Sequence, residues 1–345
     1  MKKPIRIYWR ENYSDKPATI KRAIKKSIKR VSERLSMYPG NLYEDTVAMI
    51  AKKYRVKAAQ VILGHGVEGL VHLISQTFLD RGKIGGSFKP CFFVFGTNID
   101  RYTARTFPCH YDKNINFDKY LTYLKKIDLF FLDSPNTETS TYVLSKDQID
   151  KVLKVYKGIF VVDECYYGVG NMTVVDLLKK YSNLIILKSI TKTMGLGSLR
   201  LGYAFGNKAL IKKLNSNFRD VELDPINSFS LMILKEVLTY QKELFKITKD
   251  FKRGFITQFR KALPKAKIIR GDTNFFFADM SAYGVDVYKI KNYATEQGFV
   301  YSEKPLKDDS HLHFPGFLEV TPPPKQYWND YLSTIKKAIK KFRNS

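Results

Sequence analysis

The segment Ser189-Ile-Thr-Lys-Thr-Met-Gly-Leu-Gly-Ser-Leu-Arg-Leu-Gly-Tyr203 carries the most information about this chain. It follows the apolar run 184–187, which predicts a buried strand. Lys192 lies in a Gly-rich turn with two hydroxyl side chains and with Arg200. An amine in such a turn can form an imine with an aldehyde, while the hydroxyls and the guanidinium bind a phosphate on the same molecule. A surface turn with a solvated lysine is the alternative interpretation of this segment taken alone.

Short apolar runs alternate with helical patterns between about residues 40 and 205. Strands are predicted at 61–63, 91–95, 129–132, 159–162, 184–187 and 201–205, with helices such as 43–53 and 146–155 between them. This alternation is typical of the α/β class, in which a mainly parallel sheet is covered by helices on both faces to give three layers. Ligands of such sheets bind beyond the carboxyl ends of the strands.

The pattern changes after Gly206. A helical pattern runs to about residue 263 with a break near Asp224-Pro225; strands are then predicted at 274–277, 299–301 and 317–320, and helices at 285–297 and 327–342. We therefore expect a large ligand-binding domain over residues 36–225. A smaller α+β domain is expected from residues 1–35 together with 226–345, and a helix at 18–34 is expected to pack with it.

Composition restricts the class of protein. The chain has 345 residues, 44% of them hydrophobic, and a formal net charge of +26. The lysines are spread along the chain and occupy the polar faces of amphipathic helices, so we expect no nucleic-acid partner, and the charge can attract phosphorylated metabolites. No apolar run approaches the length of a membrane span, and three cysteines form no disulfide framework. We expect a cytoplasmic protein with no membrane partner and no metal site.

Polar residues follow several predicted strands. Asp163 ends the run 159–162, where an acid can keep a pyridine nitrogen protonated, and Tyr166 can hydrogen-bond a ring hydroxyl. The alternative is that Asp163-Glu164 caps a following helix. The glycines of Gly64-His-Gly-Val-Glu-Gly69 open a helix whose free N–H groups can bind an anion, although a simple turn explains them equally well.

Two more segments carry weaker signals. The polar cluster Leu132-Asp-Ser-Pro-Asn-Thr-Glu-Thr-Ser140 can contact a ring substituent, although such clusters are usually only turns. Tyr102, placed after the predicted strand 91–95, can stack on a cofactor ring, although an aromatic residue at such a position is more commonly part of the core.

The order of these residues resembles that of the fold-type I aminotransferases that use pyridoxal phosphate, with histidinol-phosphate aminotransferase and threonine-phosphate decarboxylase as the most similar branch. Val162-Asp-Glu-Cys-Tyr166 is similar to the branch's Val-Asp-Glu-Ala-Tyr. The segment from Ser189 to Tyr203 is similar to its Ser-Phe-Ser-Lys and Gly-Leu-Ala-Gly-Leu-Arg-Leu-Gly-Tyr, and Met37-Tyr-Pro39 to its Arg-Tyr-Pro. The similarity covers nearly the whole chain.

The resemblance implies a role for each matching residue. Lys192 would carry the cofactor as an internal aldimine and move a proton between the substrate Cα and C4′ of the cofactor; Asp163 would pair with the pyridine nitrogen and Tyr166 with the ring oxygen. A homodimer is implied, with Tyr38 reaching the partner's cofactor phosphate and substrate. The remaining implied cofactor contacts are Gly66, Val67, Tyr102, Asn136, Thr137, Ser189, Thr191 and Arg200.

The chain departs from the family at two places. The family's Pro-Asn-Asn-Pro-Thr-Gly is Pro135-Asn-Thr-Glu-Thr-Ser140 here, so either the Thr137 hydroxyl replaces the second asparagine or Asn136 shifts into its place. The family's Leu-Arg-Ile-Thr, whose arginine binds the substrate α-carboxylate, is Leu318-Glu-Val-Thr321 here. The family also has an arginine in Gly-Ile-x-Val-Arg, and this arginine is absent from the matching segment Gly298-Phe-Val-Tyr-Ser302.

A glutamate repels a carboxylate, so the substrate is expected to lack a conventional α-carboxylate or to bind it differently. An amino alcohol, an amino sugar-like polyol or a small phosphorylated ketone would fit Glu319 better. The alternative is that Lys304, Lys307 or another cation binds the carboxylate.

Three functions follow from this sequence. The first is a homodimeric pyridoxal-phosphate aminotransferase acting on a small polar substrate, with or without a phosphate group, and the second is a decarboxylase of a phosphorylated amino acid on the same scaffold. The third, a nucleic-acid-binding regulator with an aminotransferase-like fold, is disfavoured because the pattern begins within the first forty residues and leaves no room for a preceding DNA-binding domain.

Overall fold

The computed structural model describes residues 4–80, 82–109, 115–222, 225–269, 271–304 and 316–343. The strands, in chain order, are β1 Ile5–Arg6, β2 Val61–Gly64, β3 Ile84–Lys89, β4 Thr103–Pro108, β5 Leu129–Asp133, β6 Ile159–Asp163, β7 Leu184–Ser189, β8 Gly202–Gly206, β9 Lys267–Ile269, β10 Phe276–Asp279, β11 Phe299–Val300 and β12 Phe317–Val320. The helices are α1 Ala18–Ser32, α2 Leu42–Tyr54, α3 Gly66–Phe78, α4 Phe93–Ile99, α5 Phe117–Leu124, α6 Lys146–Val155, α7 Thr191–Met194, α8 Lys208–Phe218, α9 Ser228–Val237, α10 Gln241–Ala262, α11 Val287–Glu296 and α12 Trp328–Phe342.

A seven-stranded sheet in the order β2-β8-β7-β6-β5-β3-β4 organises the larger part of the chain. Strands β3 to β7 pair in parallel, and β8 is antiparallel to both of its neighbours. This mixed, mainly parallel sheet confirms the predicted α/β class. The carboxyl ends of β5, β6 and β7 therefore meet at one edge, where a ligand site is expected.

The central strands are apolar because both faces of the sheet are covered. Phe130 and Leu132 of β5 pack in one core with residues of α2, α5 and α6, whereas Leu129 and Phe131 pack in the opposite core against α3 and α4. Alternate residues of one strand thus enter different cores, which is the period of two that a strand imposes on its side chains. The result is the predicted three-layer arrangement.

The C-terminal part forms a second, smaller sheet. Strands β9, β10 and β12 pair antiparallel in the order β12-β10-β9, and β1 pairs in parallel with β11. Their core contains Phe255, Phe276 and Trp328. Helix α1 packs on α9, and its Ile20 shares a core with the seven-stranded sheet. The division of the chain into residues 36–225 and 1–35 plus 226–345 stays a proposal.

One predicted strand is wrong. Residues 91–95 lie at the start of α4, and the strand of that region is the preceding β3, which contains Gly85 and Gly86. A Cβ at Gly85 would lie 2.8 Å from Ile99, so Gly85 allows α4 to pack onto the strand, whereas a Cβ at Gly86 would meet Ile127 and Phe130 at 3.0 Å on the other face. Glycine weakens the apolar pattern that predicts a strand in β3, whereas the apolar run 91–95 resembled a strand although part of it belongs to α4. None of the described helices is long and apolar enough to cross a bilayer.

Candidate active site

Three polar residues end adjacent parallel strands. Asp133 of β5 pairs in register with Asp163 of β6, and Ser189 ends β7, whose Leu187 pairs with Asp163. Helix α7, which contains Lys192, begins two residues after Ser189. The sheet therefore brings the predicted acid and the predicted lysine segment to the same edge.

Asp163 is a buried carboxyl group with one free oxygen. Its Oδ1 accepts the backbone N–H of Cys165 at 2.9 Å, whereas Oδ2 is buried and has no hydrogen-bond partner. Burial, followed by the neighbouring Asp133, raises the pKa of Asp163 to about 7. An orphaned, desolvated carboxyl oxygen is costly unless a ligand donates to it, so the site is suited to a protonated ring nitrogen.

Lys192 lies in α7 against the N-terminal arm, which we define as residues 4–17. Its Nζ donates to the carbonyl of Trp9 at 2.5 Å, and its own carbonyl accepts from Asn12 Nδ2 at 2.9 Å. Burial lowers the pKa of the Lys192 ammonium, and the nearby charge of Arg10 lowers it further. An amine with a lowered pKa can react as a nucleophile or act as a base.

The start of α3 forms a cradle next to β8. The N-cap residue His65 offers no side-chain cap, so the first N–H groups of the helix, at Gly66 and Val67, are oriented for an anion. A Cβ at Gly202 would lie 2.9 Å from the Gly66 carbonyl carbon and 3.1 Å from the Val67 nitrogen. Only glycine at position 202 allows the helix to begin this close to the strand.

The predicted phosphate ligands surround this cradle. Arg200, in the left-handed region with φ 46°, lies beside Gly66, where a Cβ would be 3.4 Å from its Nη2. The same Nη2 donates to Glu68 of α3 at 2.8 Å, and the Ser189 hydroxyl accepts the N–H of Thr191 at 3.0 Å. Backbone N–H groups, a guanidinium and hydroxyl groups are the kinds of donor that a phosphate group prefers.

The loop after β5 is held together by Asn136 and Asp133. The Asn136 amide nitrogen donates to Asp133 at 2.9 Å and to the Pro90 carbonyl at 3.0 Å, and its oxygen accepts two backbone N–H groups. Asp133 also accepts the N–H of Thr137 at 2.8 Å. The Asn136 side chain is therefore occupied by contacts within its loop and with Pro90.

The three tyrosines predicted for the site lie in different environments. The buried Tyr166 ring lies 5.9 Å from the Phe275 ring, and burial raises the pKa of the Tyr166 hydroxyl. Tyr102 is partly buried and follows α4, packed beside the core that α3 and α4 share. Tyr38, by contrast, lies in an exposed segment between α1 and α2 and is 77% exposed.

Glu319 lies in β12 and is paired with Arg10 of the N-terminal arm. Arg10 donates through Nε and Nη2 to the two oxygens of Glu319 at 2.9 and 2.8 Å. Of the other cations that the sequence offered for a carboxylate, Lys304 is exposed, and Lys307 lies outside the described residues.

Sequence reasoning missed several residues of this region. Arg10 precedes the first long helix and carries no motif, so its position gave no signal. Glu138 was visible only as a departure within residues 135–140, and Lys291 of α11 resembled the other lysines of amphipathic helices. Asn274, whose side-chain amide donates to the Arg10 carbonyl at 3.0 Å, belonged to a segment predicted as a strand.

Comparisons with known proteins agree with this geometry. The model of the family described as aminotransferase class I and II matches residues 10–287. A histidinol-phosphate aminotransferase of Thermoanaerobacter sp. (strain X514) is 28% identical over 270 residues, which cover 76% of each chain.

Two solved structures show the same fold. One is a histidinol-phosphate aminotransferase from Sinorhizobium meliloti in complex with pyridoxal-5'-phosphate, with a TM-score of 0.81 at 15% identity, covering 99% of this chain and 92% of that one. The other is an L-threonine-O-3-phosphate decarboxylase from Porphyromonas gingivalis, with a TM-score of 0.73 at 18% identity, covering 93% of this chain and 96% of that one.

Proposed function

The chain belongs to the aminotransferase class I and II family and is a pyridoxal-phosphate-dependent aminotransferase, and we propose that Lys192 anchors its cofactor and that its substrate is a small polar amine, with or without a phosphate group. One observation carries this assignment of residues. The unpartnered Oδ2 of Asp163 lies at the same sheet edge as a lysine whose pKa burial lowers.

The residues present fit the cofactor. Asp163 would pair with the pyridine nitrogen, and its raised pKa lets it share a proton with that nitrogen near neutral pH. When bound, the cofactor supplies an electron sink for the carbon that carries the amino group. Lys192 would hold the cofactor aldehyde and, when released from it, take a proton at Nζ from that carbon and return it.

The cradle at the start of α3 would hold the phosphate. The backbone N–H groups of Gly66 and Val67 would donate to it together with Ser189, Thr191 and Arg200. Because the N-terminus of a helix favours negative charge, a dianionic phosphate would displace Glu68 from the Arg200 guanidinium. This exchange would leave Glu68 free in solvent, where its charge costs little.

We propose that Thr137 and Tyr166 contact the ring oxygen, because the amide nitrogen of Asn136 already donates to Asp133 and to the Pro90 carbonyl. Tyr102 would stack on the ring. We also propose a homodimer in which Tyr38 reaches the partner's site. Leu35, Met37 and Tyr38 lie close together in one segment and are 80%, 57% and 77% exposed, and such a contact would cover them.

The test is the reaction of the purified holoenzyme with a panel of amines and 2-oxo acids. Formation of an oxo product from the amine, with the amino group recovered on the acceptor, would support transamination. Release of carbon dioxide from a phosphorylated amino acid without an oxo product would instead favour the decarboxylase alternative. Neither product from any amine that changes the cofactor spectrum would refute the proposed reaction.

A further inference from the structure

A buried ion pair, which we call the Lys188 pair, joins the ends of β6 and β7 and consists of Lys188 and Glu164. Lys188 donates to the Glu164 carboxylate, and the two side chains are only 2% and 1% exposed. The Thr173 hydroxyl bridges them, because it donates to Glu164 Oε2 at 2.6 Å and accepts from Lys188 Nζ at 3.2 Å. Neither charged residue is among the proposed cofactor contacts.

Both members of the pair have further partners. The second oxygen of Glu164, Oε1, accepts the backbone N–H of Val174 at 2.7 Å. The Lys188 ammonium lies 3.5 Å from the centroid of the Tyr167 ring, whose face attracts a cation. A buried network with this many satisfied groups is held in one geometry.

The alternation of side chains along the strands places the Lys188 pair back to back with the cofactor residues. Glu164 follows Asp163, and Lys188 precedes Ser189. Leu187 packs in the core that α3 covers, whereas the residue before it packs in the core that α2 covers. Because successive side chains point to opposite faces, Asp163 and Ser189 share the α3 face, and Lys188 lies on the α2 face.

The ion pair continues the pairing of the two strands past their last register partners. Asp163 pairs with Leu187, and the Glu164 N–H donates to the Leu187 carbonyl at 2.9 Å. Glu164 and Lys188 are the next residues of the two strands, so their side-chain contact fixes the strand ends relative to each other. It does so at the point where these strands present Asp163 and Ser189.

Stability alone does not account for the Lys188 pair. Removing two charges from water is costly, and apolar residues of similar volume often stabilise a fold as well or better. Burial lowers the pKa of the Lys188 ammonium, and the Glu164 carboxylate acts against that shift. Unlike apolar packing, an ion pair with fixed donors and acceptors specifies one position for the two strand ends.

We propose that Lys188 and Glu164 are positioning residues that hold Asp163 and Ser189 at the spacing that the pyridine nitrogen and the phosphate of one cofactor molecule require. Because both groups belong to one small molecule, a shift of one strand end relative to the other weakens one contact whenever the other is kept. This inference rests on the proposed function and names residues that support the same site from behind.

The experiment measures pyridoxal-phosphate binding to the double variant Lys188→Met with Glu164→Gln. Both charges are removed together, so the cofactor-free protein should keep a Tm close to that of the wild type. A fluorescence titration should give a Kd about tenfold or more higher. The visible circular dichroism of the bound cofactor, which reports how its ring is held, should change as well. Wild-type Kd and dichroism in the double variant would overturn the proposal.

Two further proteins separate positioning from other effects. Lys188→Arg keeps a cation that can pair with Glu164 and lie on the Tyr167 ring, so it should retain the wild-type Kd. Lys146→Met with Asp176→Asn is the matched control, because this ion pair, at 2.7 Å, is 41% and 59% exposed and should not influence binding. A Lys188→Arg protein with the Tm of the wild type but the Kd of the double variant would contradict the assignment.

A milder variant covers the case in which the double variant does not fold. Thr173→Val removes only the bridging hydroxyl and should raise the Kd about threefold or more, and an unchanged Kd would overturn the proposal. A wild-type protein that shows no visible band with pyridoxal phosphate would refute the proposed function itself. A normal band together with unchanged binding in the variants refutes only the positioning role.

Discussion

Replacement of Arg10 by methionine is expected to destabilise the protein strongly, because two carboxylates would stay buried without their shared cation. Arg10 makes four hydrogen bonds to Glu138 and Glu319 at 2.8–3.2 Å. Removing one partner of a buried ion pair costs about 3–5 kcal/mol. With an unfolding entropy of about 2.1 cal/mol/K per residue, this corresponds to a Tm lower by about 4–7 °C for a chain of this length.

The assay is the thermal unfolding of the cofactor-free protein, with Arg253→Met as the control. Arg253 of α10 pairs with Asp250, but the exposed fraction of the side chain is 74% for Arg253 and 38% for Asp250, so its loss should cost no more than about 1 kcal/mol. Adding Glu138→Gln and Glu319→Gln to Arg10→Met should recover most of the loss, since no buried charge then lacks a partner.

The loss of stability in Arg10→Met should depend on pH. The pKa of Glu319 is lowered in the folded protein because Arg10 outweighs burial, so this pair stabilises the fold above the unfolded pKa of Glu319 and ceases to do so as pH falls. The difference in Tm between the wild type and Arg10→Met should therefore shrink in acid. A decrease in Tm for Arg10→Met no larger than that for Arg253→Met at neutral pH would show that the buried glutamates do not depend on Arg10.

Three more outcomes are expected at the cofactor site. Because burial raises the pKa of Asp163 to about 7 in the folded protein, the stability of the cofactor-free protein should fall as pH rises from about 4 to 7. Asp163→Asn should flatten this pH dependence of the Tm. An unchanged dependence would mean that burial does not raise the pKa of Asp163. Gly202→Ala should weaken pyridoxal-phosphate binding in a fluorescence titration, because the new Cβ would lie 2.9 Å from the backbone of Gly66. Gly206→Ala is the control and should leave binding unchanged, because its Cβ would meet only the flexible side chain of Ile211 at 3.2 Å. Arg200→Gln should raise the cofactor Kd about tenfold or more, with Arg219→Gln, a surface pair, as the control that leaves it unchanged.

Much of the fold follows from local patterns in the sequence. The apolar strands β5, β6 and β7 and the capped helix α6, with its Ser145 and Gln148 capping box, were predicted within about two residues. Strand β3 was missed because Gly85 and Gly86 weaken the strand pattern, although Gly85 is what allows α4 to pack on the strand. In β3 the tertiary packing, and not the local preference of the residues, determines that a strand forms.

The same distinction between local pattern and tertiary contact applies to the residues of the candidate site. The meeting of Asp163 and Lys192 at one sheet edge could be predicted, because strand ends and a glycine-rich turn restrict where such residues lie; their roles stay a proposal. Arg10 could not, since its pairing with Glu319 joins residues 309 positions apart, and nothing local to either one specifies it. The sequence showed Glu319 as a departure from the arginine of the family, but only the structure shows that Arg10 is its partner.

Reduction of the holoenzyme with borohydride, followed by mapping of the modified peptide by mass spectrometry, tests whether Lys192 anchors the cofactor. We expect a visible absorption band that borohydride removes and a pyridoxyl phosphate label on Lys192 alone. The Lys192→Ala protein should bind the cofactor without a reducible band. A label on another lysine, or a reducible band that survives in Lys192→Ala, would show that a different residue is the anchor.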